Sequence, residues 1–176
     1  MKILLIVIFA SVLILPQEIK ERVEEVISNE FGSGIKYESE KYGIPSDVKT
    51  RVEKSAKQKF YSDNVYLYKI KSGKTLKAYG FLDNVYGKSL PITFMVFLDT
   101  KGSVLSAHII KYREQYGGQV GSQGWLDQFK GRNNQSGYEV SKDIDSISGA
   151  TISVNSVTTG IKKITLLYQE IKDKIK

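Results

Sequence analysis

The spacing of apolar residues changes twice along this chain, dividing it into a helical, a stranded and again a helical region. From Gln17 to Phe31 the apolar positions Ile19, Val23, Val26, Ile27 and Phe31 lie on one helical face, and the opposite face is densely charged. Gly32-Ser33-Gly34 stops this helix. Residues 35–45 carry Tyr37 and Tyr42 without a clear period and end in the turn signal Gly43-Ile44-Pro45. Ser46-Asp47 is placed to cap a second helix running to about Phe60, with Val48, Val52, Ala56 and Phe60 at four-residue spacing. At Val65 the period drops to two. Strands are predicted over 65–70, 76–85, 91–98 and 104–112, separated by turns at Ser72-Gly73, Gly87-Lys88 and Lys101-Gly102.

A glycine-rich loop, Arg113 to Gly121, leaves the last of these strands. A short helix from Gln123 to Phe129 places Trp125, Leu126 and Phe129 on its apolar side, and Tyr138-Glu139-Val140 suggests one more short strand. The final helix is predicted from about Ser153 to Ile175. Its seam, Val154, Val157, Ile161, Ile164, Tyr168, Ile171 and Ile175, alternates three- and four-residue steps. This order predicts an α+β fold: an antiparallel meander of four to five strands packed with a long C-terminal helix, plus N-terminal helices. The corresponding division is 1–16 as signal peptide or short membrane anchor, 17–60 as an N-terminal helical segment, and 61–176 as the main domain.

Composition narrows the chemistry. A 176-residue chain with 41% hydrophobic and 26% charged residues can bury a core and is not disordered. The net charge of +7 comes from lysines and arginines spread along the chain, without a dense basic run or a nucleic-acid-binding motif. The absence of cysteine excludes disulfides, iron–sulfur clusters and thiolate zinc, and the single histidine, His108, excludes a multi-histidine metal site. His108 falls in a predicted strand and reads as a structural or surface residue. The apolar run from Ile3 to Leu15, following Met1-Lys2, spans about 20 Å as a helix, short of the roughly 30 Å hydrocarbon core. Its length suits a signal-peptide core, although no clear A-x-A cleavage site follows. Export is expected, with cleavage or with retention as a short anchor.

The heptapeptide Asp145-Ser146-Ile147-Ser148-Gly149-Ala150-Thr151, directly before the last helix, carries the most specific signal. Local physics offers two readings. In one it is a small-residue turn in which Ser148 or Thr151 caps the helix. In the other, Thr151 presents an exposed hydroxyl at a helix start, where free amide N–H groups and the positive dipole end favour a phosphate.

The pattern D-x-x-S-G-A-T resembles the flavinylation signature of the FMN-binding domain family, which includes the G subunit of Rnf complexes and the C subunit of the sodium-pumping NADH:quinone reductase. From about residue 65 onward the order of strands, glycine loop, short helix, motif and terminal helix is similar to that family, as are Tyr79-Gly80, Tyr86-Gly87, Pro91-Ile92 and Asp99-Thr100-Lys101-Gly102. The resemblance implies FMN held covalently on Thr151 through a phosphoester, added in trans by a flavin transferase that uses FAD and magnesium and releases AMP. Ser148, Gly149, Ala150 and Ser153 then belong to the attachment site, and Asp145 to transferase recognition. Glu114, Gly117 and Gly118 are the candidates for the flavin ring, where glycines permit close backbone approach. Tyr116 and Trp125 are candidate stacking aromatics, Trp125 reading more readily as a core anchor. Where the complex subunits typically read E-T-P-G-x-G, this chain reads Glu114-Gln115-Tyr116-Gly117-Gly118 and is more similar to stand-alone members.

The expected function is therefore an extracytoplasmic electron carrier or redox-complex subunit with no catalytic residues of its own. Its expected partners are the flavin transferase and membrane or extracytoplasmic redox proteins, with no nucleic acid and no metal. A flavin-dependent reductase with its own substrate, or a non-redox binding domain of the same fold, are the alternatives.

Overall fold

A computed structural model describes residues 15–176; the expected leader lies outside the described residues except for Leu15 and Pro16. The elements follow in the order α1 (Gln17–Phe31), β1 (Lys36–Gly43), α2 (Ser46–Ala56), β2 (Asn64–Ser72), β3 (Thr75–Tyr86), β4 (Pro91–Leu98), β5 (Val104–Lys111), α3 (Gln123–Leu126) and α4 (Thr151–Ile171). The five strands form one antiparallel sheet in sequence order, β1-β2-β3-β4-β5, so the fold is the α+β meander expected.

Both faces of the sheet are covered, which explains why β4, Pro-Ile-Thr-Phe-Met-Val-Phe-Leu, is almost continuously apolar and not alternating. On one face α1 buries Ile19, Val23, Val26 and Ile27 against Tyr68, Ile70, Leu82, Met95 and Phe97. On the other, α4 and α2 pack over Leu67, Phe81, Val85, Phe94 and Val96. Every position of the predicted seam is buried, from Val154 to Ile171 on α4 and Ile175 just after the turn that follows, since the helix ends at Ile171 and not at Ile175. At about 1.5–3 kcal/mol for each fully buried large aliphatic side chain, this seam is a principal source of cohesion.

The sequence assigned no element to residues 35–45, and the structure places β1 there. This strand is exposed at nearly every position and rich in lysine and glutamate. It closes the sheet as an edge, where charge discourages further pairing. The second helix ends at Ala56, not Phe60, because Lys57 turns left-handed at φ 59°. Pro45, not Ser46, stands at its N-cap. Phe60 still reaches the core, on the returning loop, where its amide donates to Glu53 Oε1 at 2.8 Å. The short strand expected at 138–140 is only an isolated bridge between Val140 and Ile144.

One ion pair lies inside the core. Lys163 of α4 and Asp83 of β3 are 3.3 Å apart, with side-chain exposures of 0% and 3%. The ammonium group also donates to the Lys59 carbonyl and sits 4.4 Å from the Phe60 ring centroid. Burial pushes the Asp83 carboxyl above its ordinary range and the Lys163 ammonium below its own, each partner opposing the other's shift.

Candidate functional site

A meander puts alternate connections at the same end of a sheet. The β3–β4 turn (87–90) and the chain leaving β5 at Tyr112 therefore meet, and α4 begins beside them. Between these three segments lies a cleft of about 530 Å³, lined by Lys88, Ser89, Glu114, Gln115, Tyr116 and residues 149–153. Its size falls within the range of roughly 300–1,000 Å³ usual for small-molecule and cofactor sites. The cleft joins the two regions that the sequence singled out separately, the 114–118 loop and the heptapeptide before α4.

The heptapeptide is held through its backbone. The Asp145 carbonyl accepts a hydrogen bond from Trp125 Nε1 at 2.8 Å, and its amide donates to Gln128 Oε1 at 2.8 Å. Arg132 donates to the carbonyls of Gly137 and Asp143 just upstream. The carboxylate of Asp145 is left on an exposed residue. Trp125 is 7% exposed and edge-on to Phe129 at 5.3 Å, so it is a core anchor and not a stacking surface for a ligand. Tyr116, at 77% exposed, is the aromatic side chain that lines the cleft.

Helix α4 starts at Thr151, two residues earlier than its apolar seam suggested. Ala150 occupies the N-cap position, and no side chain caps the helix. The reading in which Ser148 or Thr151 serves as cap is thus overturned, and the amides of the first turn lack a side-chain acceptor. Thr151 is exposed on a helix start and not on a flexible loop. Gly149 makes the approach possible: at φ 75° it takes the left-handed conformation that turns the chain into the helix. Ser148 is exposed, whereas Ala150 and Ser153 are buried at 3% and 5%.

The loop opposite is clamped to α4. The Tyr112 hydroxyl donates its one proton to the Tyr116 carbonyl, so the Ser153 hydroxyl, 2.8 Å away, must be the donor in the second bond. Gly117 sits beneath this pair at φ 86°, where an added Cβ would lie 2.7 Å from the Tyr112 hydroxyl and 3.1 Å from Ser153 Oγ. Gly118 opens the 3-10 turn Gly118–Gly121 behind the cleft and does not line it. Glu114 faces the β3–β4 turn, accepting the Ser89 amide at 2.6 Å and the Leu90 amide at 2.9 Å. Those amides, Leu90 first and then Ser89, hold its carboxyl below the ordinary carboxylate range. Glu114 therefore braces the cleft wall.

His108 is remote from this chemistry. It lies on β5 towards α1, 3.4 Å from Glu30 and against the Phe97 ring. Lys88, Ser89 and Ile152 are cleft residues that the sequence did not single out, and Lys88 brings a cation to the rim.

Residues 87–165 match the family model described as the FMN-binding domain. The chain carries an FMN-binding domain. The matched span begins at the β3–β4 turn, ends within α4, and contains every residue that lines the cleft. It also contains the Tyr112–Ser153 clamp and the Gln128 and Trp125 staples. The domain gives the protein a flavin-binding role, with FMN as cofactor. No curated protein matches the chain.

Proposed function

We propose that this protein is an extracytoplasmic electron carrier in which FMN is held through a phosphoester to the Thr151 hydroxyl. The observation that carries this reading is the cleft in which an exposed threonine, on an uncapped helix start, faces the 114–116 loop. A phosphate on Thr151 would meet the amide N–H groups and the positive dipole end of α4. The cleft has room for the ring beside Tyr116 and Lys88. When bound, the flavin supplies one- or two-electron transfer, while the protein supplies attachment, orientation and charge.

Attachment in trans fits the surroundings of Thr151. The sole imidazole, His108, is engaged on the opposite face of the sheet, towards Glu30, so it is not placed to activate the hydroxyl. A flavin transferase would move the FMN phosphoryl group from FAD to the threonine oxygen, and AMP would leave. Asp145, with a fixed backbone and an exposed side chain, is the residue for the transferase to recognise. A tether also keeps a cofactor that is lost easily outside the cytoplasm, because it raises effective concentration without new contacts. The leader before Pro16 is read as the export or anchoring segment. Among the described residues no helix is long and apolar enough to cross a membrane.

Co-expression with a flavin transferase, followed by denaturing electrophoresis, tests the reading. The wild-type band should fluoresce as flavin and the Thr151→Ala band should not, with the two proteins equally folded. A fluorescent Thr151→Ala band would overturn it.

A further inference from the structure

We propose that the end of the sheet bearing the cleft is a docking surface for a lipid bilayer, so that the mouth of the cleft faces the membrane. Among the described residues the large apolar side chains that remain exposed are Tyr61, Tyr86, Leu90, Tyr116 and Ile152. They are far apart in sequence, yet all fall at this one end. The Tyr61 and Tyr86 rings are 4.9 Å apart, Tyr86 pairs with Pro91 across the turn that carries Leu90, and Tyr116 and Ile152 line the cleft. The opposite end, formed by the β2–β3 and β4–β5 turns, presents Lys74, Asp99 and Lys101 instead. Exposed apolar groups gathered on one end mark an interaction surface, whereas scattered ones do not.

The position of Leu15 and Pro16 identifies the occupant. Leu15 and Pro16 line a groove of about 250 Å³ together with Tyr61 and Pro91, and Glu18 pairs with Lys111 at the end of β5. The described residues before α1, Leu15 and Pro16, therefore lie at this same end, and the sequence from Ile3 to Leu15 is almost wholly apolar. A segment too short to span a bilayer, feeding into a rim of tyrosine, leucine and isoleucine, matches the interfacial layer, where amphipathic aromatic rings concentrate. The inference rests on the reading of the leader as membrane-directed and is independent of flavin attachment.

Because the chain has no cysteine, single labels can be placed at will. Full-length Leu90→Cys, Ile152→Cys and Lys74→Cys proteins would each carry a polarity-sensitive nitrobenzoxadiazole label and be added to phosphatidylcholine–phosphatidylglycerol vesicles. Blue-shifted emission, quenched by spin-labelled lipid, is expected at positions 90 and 152 but not at 74. Equal response at all three positions, no lipid quenching at 90 and 152, or failure of the full chain to bind vesicles would overturn the proposal. So would a blue shift at 90 and 152 without vesicles, which would mean that a second copy or the leader itself covers the patch. Circular dichroism would check that each variant is folded. Intact mass of the Leu90→Cys and Lys74→Cys proteins, each co-expressed with a flavin transferase, reports flavin separately: the labelling pattern without flavin leaves docking standing and sinks the attachment reading.

Discussion

The Ser153 hydroxyl donates to the Tyr112 phenol oxygen at 2.8 Å, joining the first turn of α4 to the loop that leaves β5 across 41 residues of sequence. The phenol in turn donates to the Tyr116 carbonyl, so one hydroxyl fixes the width of the cleft. Tyr112→Phe should cost about 1–2 kcal/mol, since it strands a half-buried donor and a carbonyl. Ser153→Ala in that background should add little, because the two act as one unit. Urea denaturation of the single and double variants measures the coupling, and additive losses would show that the clamp does not exist.

Gly117 and Gly149 share a left-handed backbone but differ in their surroundings. Nothing lies within 4 Å of a Cβ added at Gly149, so Gly149→Ala should lose only the backbone preference, roughly 1–2 kcal/mol. At Gly117 the added methyl meets the Tyr112 hydroxyl at 2.7 Å, so overpacking adds about 1–3 kcal/mol more. The urea midpoint should therefore fall further for Gly117→Ala. Equal midpoints would contradict the packing at Gly117.

The Asp83–Lys163 pair should be more costly to break than to replace. Lys163→Met leaves a buried carboxylate without its cation and should lose about 3–5 kcal/mol. Asp83→Leu combined with Lys163→Met should recover most of that loss. Shifts in urea midpoint at constant slope would measure both.

Glu114 gives the fold an acid-side dependence. Its folded-state carboxyl is held below the ordinary value of 4.5, so its contribution is complete above that value and is lost as pH falls through the lower, folded-state value. Between about pH 5 and pH 3 the wild-type urea midpoint should drop more steeply than that of Glu114→Gln. Parallel pH profiles would show that the bonds to Ser89 and Leu90 contribute nothing.

The apolar seam of α4 was legible because a helix lying on a sheet buries one face, and each of its positions from Val154 to Ile171 is buried. The edge strand β1 was not, because its exposed, charged residues carry no alternation. At the site, the heptapeptide and the 114–118 loop were both recognisable, yet the part played by Glu114 was not: a carboxylate beside glycines gives no sign that it will turn to the amides of Ser89 and Leu90. Lys88 was within reach of the sequence. In a meander the β3–β4 turn and the exit of β5 must share an end, which places Lys88 and Ser89 opposite the glycine loop.

Attachment of FMN to Thr151 is decided by peptide mass spectrometry of the protein co-expressed with a flavin transferase. The peptide containing Thr151 should carry the mass of one FMN less one water, with fragmentation placing it on Thr151 and not on Ser148 or Ser153. An unmodified Thr151 in protein produced beside an active transferase would contradict it.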